Sequence, residues 1–151
     1  MLVADVKKRA VAAFHAGWRG TVARIVEQGI ARMTHEYGSR PQDLIAAIGP
    51  GIGACCYTVG EEVRTAFSSQ FDYADELFLS DRKASPSIYV DLWKANQRQL
   101  LAAGIEPSKI TAIGECTACS RDEQGRPRYF SHRAEHGVAG RMLSVVGIVP
   151  G

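Results

Sequence analysis

The sequence predicts an α/β (α+β) fold, with a mixed β-sheet and flanking helices in a single domain over residues 1–151. Three observations carry this expectation. Short apolar β-type runs alternate with helical stretches through the middle of the chain, while further β-type runs cluster at both ends. That order favours a mixed sheet over a purely doubly wound one. The chain has 151 residues, enough for one core without covalent staples. Its composition, 46% hydrophobic and 23% charged, is that of a folded globular protein and excludes a disordered one.

Taken in order, Leu2–Ala4 and Ala10–Phe14 read as strands joined by the charged turn Asp5–Arg9, which makes a hairpin. The second strand delivers His15 at its C-terminal end, and Gly17-Trp18-Arg19-Gly20 then opens a helix over Thr21–Tyr37. Val22, Ile25, Val26, Ile30 and Met33 fall on one face of that helix, and Gly38 stops it. Gly29 lies inside it at a cost of ~1 kcal/mol relative to Ala, so a close packing partner is expected there. Leu44–Ile48 reads as a buried strand that runs into the loop Gly49–Gly53. The loop is no dinucleotide fingerprint, since G-x-G-x-x-G is incomplete and Pro50 lacks an N–H for phosphate.

Gly60–Phe71 reads as a helix opened by Glu61 and Glu62, and Asp72–Ser87 as irregular. A second clear helix spans Asp91–Ala103, with Asp91 as cap, Gly104 as stop, and Trp93, Leu100 and Leu101 on its buried side. Lys109–Ile113, Arg128–His132 and Met142–Val149 read as the closing strands.

The formal charge of +2 gives no ground for a nucleic-acid partner or an anionic membrane surface. No run approaches the roughly 20 apolar residues of a membrane span, and Met1–Val6 lacks the order of a signal peptide. A cytoplasmic protein is expected, with its four cysteines as thiols. The chain opens almost directly in a strand, which fits either a compact short domain or a start cut from something longer.

The turn from Phe14 to Gly20 joins strand end, glycines and helix N-terminus, a common place for chemistry in α/β folds. Free N–H groups near Gly20–Val22 would attract an anion, and Arg19 would add a planar charged fork. A plain βα turn, with His15 bonded to a neighbour and Trp18 in the core, explains the same residues. Cys116-x-x-Cys119 has the spacing of a zinc knuckle or a redox dithiol. A closed zinc site would need two further ligands, of which Cys55 with Cys56 could supply one, since adjacent cysteines rarely both reach one ion; small buried thiols are the simpler reading. On a strand, His132 and Arg133 would face opposite sides, with His136 solvated in the next turn. Cys55 or Cys56 near His15 would allow Cys–His nucleophilic chemistry; a serine triad lacks its G-x-S-x-G elbow.

The assembled residues resemble one family. Phe14-His15-Ala16-Gly17-Trp18-Arg19-Gly20 matches the H-A-G-W-R-G signature of the laccase-domain proteins, also called multicopper polyphenol oxidoreductases and read as purine nucleoside phosphorylases with adenosine deaminase activity. The match continues through Ile48–Gly53, Cys55-Cys56-Tyr57, Asp91-Leu92-Trp93, Cys116-Thr117, Tyr129–Arg133 and Gly140-Arg141. The resemblance implies the family's mixed-sheet fold and phosphorolysis of inosine- or adenosine-type nucleosides, with purine nucleoside and phosphate as partners. It also implies zinc, or copper in the older laccase reading, held by two histidines and one cysteine. His15 maps onto one of those ligands. The other two belong to upstream segments, Q-V-H-G and T-A-D-C, that this sequence does not contain. It therefore resembles the C-terminal part of a longer family member.

Arg19 and Gly20, with Arg133, are the residues expected to hold substrate. Two outcomes follow: a metal-dependent phosphorylase, or an inactive form that binds nucleoside, phosphate or a partner. Oxidation by several coppers would need clustered ligands, whereas the four histidines are scattered. Strands missing from the family fold would leave an open sheet edge, which leaves a homodimer open.

Overall fold

The computed structural model describes residues 1–79 and 87–149. The chain divides into two compact units, one built from Met1–Gly49, Lys94–Ile113 and the stretch from Ser144, the other from Pro50–Trp93 and Gly114–Leu143.

In the first unit, β1 (Leu2–Asp5) and β2 (Ala10–Ala13) form the expected hairpin, in register from Leu2 opposite Ala13 to Asp5 opposite Ala10. β3 (Leu44–Ile48) pairs antiparallel with β1 and parallel with a strand at Ile110–Ala112, giving a four-stranded mixed sheet. Along β3, Leu44, Ala46 and Ile48 are buried while Ile45 is 49% exposed. The apolar run is thus covered on one face only, by the two-residue periodicity of a strand.

The helix expected over Thr21–Tyr37 is two helices, α1 (Trp18–Val22) and α2 (Ile25–Tyr37), parted by Arg24 in the left-handed region at φ 56°. The reason lies in long-range hydrogen bonding. Thr21 O accepts from Arg24 N at 3.0 Å and from the buried Gln99 Nε2 at 2.7 Å, so a side chain 78 positions away holds the helix at its break. Thr21 Oγ1 donates to Gly17 O at 3.0 Å and lies 3.3 Å from Asn96 Oδ1. α2 buries Val26, Ile30 and Met33 and ends at Gly38, φ 63°, as expected. Gly29 has its close partner: a methyl group there would overlap Cε1 and Cζ of Phe14.

In the second unit, β4 (Thr58–Val59) leads through Gly60 into α3 (Glu61–Ser68), which stops earlier than Phe71. A 3₁₀ turn (Ala74–Leu77) and β5 (Phe78–Leu79) follow, so the stretch read as irregular is partly ordered; its residues 80–86 lie outside the described residues. β6 (Ile88–Val90), unforeseen in the sequence, sits between β4 and β5 in a three-stranded antiparallel sheet. Fully buried Phe67 anchors this unit, edge-on to Phe78 at 5.8 Å.

The helix α4 (Leu92–Ala102) buries Leu92, Ala95, Asn96, Gln99 and Leu100, spaced along one helical face. Leu101 is off that face and exposed, contrary to expectation. The last strand, β7 (Ile110–Ala112), follows a 3₁₀ turn at Pro107–Lys109.

Two expected strands do not form. Arg128–His132 carries no ladder: Arg128 Nη1 and Tyr129 Oη both donate to the Glu115 carboxylate, at 2.9 and 2.7 Å, and a turn closed by Gly137 N to His132 O at 2.8 Å follows. Met142–Val149 is an apolar β-type run, but no described strand pairs with it, and Leu143 and Val149 are 88% and 83% exposed.

Two measurements check this packing. Gly29→Ala should lower unfolding free energy by about 1–3 kcal/mol in urea titration, because Phe14 cannot yield without leaving its site; an unchanged midpoint would contradict the contact. Burial alone would raise the Asp5 carboxyl, but the Ser39 side chain and the Lys8 and Lys7 backbone N–H groups hold it below its usual value. The stability this supplies is present above the unfolded value of about 4 and lost as pH falls through the lower folded one. Asp5→Asn should therefore flatten the acid limb of a stability–pH curve; an unaltered limb would show that Asp5 is not the group titrating.

Candidate functional site

Each unit presents one constellation. In the first, β2 ends at Ala13, and the chain turns through His15, Ala16 and Gly17 into α1. His15 and Arg19 are both exposed. The Arg19 guanidinium carbon lies 4.3 Å over the Trp18 ring, which orients the charge without neutralising it. Gly20 has a packing reason for its lack of a side chain, since a methyl there would come within 3.3 Å of His15 O. The helix begins at Trp18, so its free first-turn N–H groups belong to Trp18, Arg19 and Gly20. Of the expected Gly20–Val22 set only Gly20 is among them, for Thr21 N already bonds Gly17 O at 2.8 Å.

Arg133 belongs to the second unit, in the turn after Ser131 and not on a strand. Its Nη1 donates to Thr58 O at 2.8 Å and lies 3.1 Å from Thr58 Oγ1, and its guanidinium carbon stands 5.2 Å over Tyr57. His132 and His136 are exposed in the same turn.

The four cysteines, all in the second unit, do converge. Cys55, Cys56, Cys116 and Cys119 place their Sγ atoms within 4.8 Å of one another. Only Cys116 is buried, so the reading of these residues as small buried thiols fails for the other three. Backbone bonds between the two loops bring them together. Gly51 N donates to Glu115 O at 3.3 Å, and Thr117 N donates back to Gly51 O at 3.0 Å. A tight turn follows in each loop: Cys56 N and Tyr57 N both donate to Gly53 O at 2.9 Å, and Ser120 N donates to Cys116 O at 2.9 Å. The sequence suggests that the adjacent pair could supply one further ligand to a C-x-x-C zinc site, but the convergence of all four sulfurs, across some 60 positions, leaves no local signal.

The thiols differ in acidity. Burial opposes charge on Cys116, but backbone N–H groups of Gly53, Ala118 and Cys119 outweigh it and bring the thiol down to about 7; the Gly53 N–H lies 3.3 Å from its Sγ. Burial, then the neighbouring Cys119 thiol, pushes Cys56 up to about 11 and Cys55 higher still.

A tetrahedral catalytic centre needs three protein donors and one open position. The four cysteines form the group of three or more close donors found among the described residues, and His15 is not one of its members. His15 alone does not fit a three-ligand zinc or copper site.

A family profile described as "Multi-copper polyphenol oxidoreductase laccase" matches residues 1–149. The chain belongs to this family. A purine nucleoside phosphorylase of Bacteroides thetaiotaomicron is 41% identical to this laccase-family chain over 149 residues, covering 98% of the chain and 53% of that protein. Adenosine deaminase RL5, from an unknown prokaryotic organism, is 33% identical over 119 residues, 79% of this chain and 45% of that protein. The crystal structure of Bacillus licheniformis hypothetical protein YfiH superposes with a TM-score of 0.79 at 32% identity, over 90% of this chain and 49% of that one. The laccase-family chain thus spans about half the length of the curated relatives it matches. The mixed α/β fold agrees with the expectation from sequence.

Gly53 is the position on which the cysteine loops depend most. A methyl there would come 2.9 Å from Cη2 of Trp93 and 3.3 Å from Cys55 Sγ. Gly53→Ala should make the thiols react faster with a bulky disulfide reagent and lower the thermal midpoint by several degrees, on the order of 1–2 kcal/mol of overpacking. Unaltered thiol reactivity would mean the loop absorbs the methyl group elsewhere.

Proposed function

We propose that this laccase-family chain takes part in phosphorolysis of purine nucleosides of the inosine or adenosine type. Phosphate displaces the base at the sugar's anomeric carbon, releasing purine and a pentose 1-phosphate. The observation that carries this is the 41% identity, over 98% of the chain, to a protein named a purine nucleoside phosphorylase. Deamination of adenosine is the companion activity, supported by the likeness to a named adenosine deaminase.

The chain's own contribution lies in holding the dianion and the nucleoside. Arg19 is exposed, always charged, and set over Trp18, so its planar fork is oriented before ligand arrives. Gly20 keeps the backbone close to His15, and the N–H groups of the same turn can donate to phosphate oxygens. Within the second unit, Arg133 is proposed as a further substrate contact through the donors other than the Nη1 that bonds Thr58. His15 is proposed as one ligand of the family's metal, which this chain alone would not retain there, since no further donors are grouped with His15 among the described residues. No described helix is long and apolar enough to cross a membrane. The proposal assigns the protein to the cytoplasm, without nucleic-acid or membrane partners, and admits a homodimer.

A second reading is binding without turnover. What favours it is the absence of further metal donors grouped with His15 among the described residues. Purine release from inosine and phosphate, followed against buffer, separates the two: release at the buffer rate with saturable phosphate binding supports the second. Under either reading Arg19→Ala should weaken phosphate binding about tenfold or more by calorimetry, the loss of one charge-assisted contact. Equal affinity in variant and parent would remove Arg19 from the site.

A further inference from the structure

We propose that Cys55, Cys56, Cys116 and Cys119 form a closed structural site for one zinc-class divalent ion. It stands independently of the nucleoside reading, because none of the four residues lies in the His15–Gly20 turn and all four belong to the second unit.

The argument is geometric. Zinc–thiolate bonds of about 2.3 Å in a tetrahedron set the sulfurs about 3.8 Å apart. All four Sγ atoms lie within 4.8 Å of one another, and Cys55 and Cys119 are already 3.6 Å apart. Contraction of the wider pairs by an ångström or less would complete the tetrahedron, within reach of side-chain torsion alone. The loops are arranged to hold it. Gly51 is tied in both directions to the Glu115–Thr117 segment. Gly53 tightens the first turn, donates to Cys116 Sγ and leaves no space for a side chain between Trp93 and Cys55. Arg121 Nη1 donates to Ser120 O at 3.1 Å, which fixes a cation on the second turn, where four thiolates around a divalent ion would leave net negative charge.

The donor set decides the class of ligand and the role. Soft thiolates select zinc and its chemical relatives over magnesium or calcium. Four of them complete the coordination, leaving no position for water or substrate, so the ion cross-links two loops and does no chemistry. Each thiol gives its proton to solvent as the metal binds, and no electrons are transferred.

The test uses the whole chain, purified reduced and offered zinc or cobalt. Mass-spectrometric metal analysis should find about one zinc per chain, in parent and His15→Ala alike, and none in the Cys116→Ser/Cys119→Ser double variant. Cobalt bound to the unaltered chain should show sulfur-to-metal charge transfer and the intense visible bands of a tetrahedral site. That spectrum keeps the proposal testable if the double variant fails to fold. Metal lost in His15→Ala, cobalt without thiolate charge transfer, or no bound metal with four titratable thiols would each overturn it. So would a metal-free chain with two thiols consumed in a disulfide.

Discussion

Two backbone hydrogen bonds, Gly51 N to Glu115 O and Thr117 N to Gly51 O, are the constraint on which the second unit's chemistry depends. They align two loops that are more than 60 positions apart in sequence, and everything the cysteines can do follows from that alignment. Each loop then turns sharply within a few residues, one at Gly53 and the other after Cys116, so that adjacent cysteines and a C-x-x-C pair meet at one point. Without the pairing, Cys55 and Cys116 are ordinary thiols on separate loops. With it, a buried sulfur receives backbone N–H donors and three more sulfurs stand around it.

The first unit is organised by a comparable long-range constraint. Gln99, fully buried on α4, reaches the carbonyl of Thr21 and holds α1 apart from α2. The short helix that carries Trp18, Arg19 and Gly20 is therefore positioned by a neighbouring helix more than by its own propensity, which is weak for five residues. His15 follows the hairpin strand β2 and is exposed.

Local patterns in the sequence were sufficient for the hairpin, the strand Leu44–Ile48, the apolar face of α2 and the two main helix stops, because these depend on residues near one another. The H-A-G-W-R-G match located the His15–Gly20 turn and the family together. What escaped was set at a distance. Arg24 adopts a left-handed conformation that nothing in its own chemistry announces, since the cause is Gln99. Leu101 has an apolar side chain but the wrong angular position on α4. Met142–Val149 is rich in apolar β-formers, yet composition supplies no partner, and a strand without a ladder does not form. The four-cysteine cluster was underrated in favour of small buried thiols, for it rests wholly on loop pairing that spacing rules do not encode.

The central claim is that the four cysteines of the second unit, without any histidine, hold the ion. X-ray absorption at the zinc edge of the metal-loaded chain addresses this most directly, because it reads the identity of the neighbouring atoms. The account predicts four sulfur neighbours at about 2.3 Å and no light-atom shell. A first shell containing imidazole nitrogen would put the metal at a histidine and contradict it.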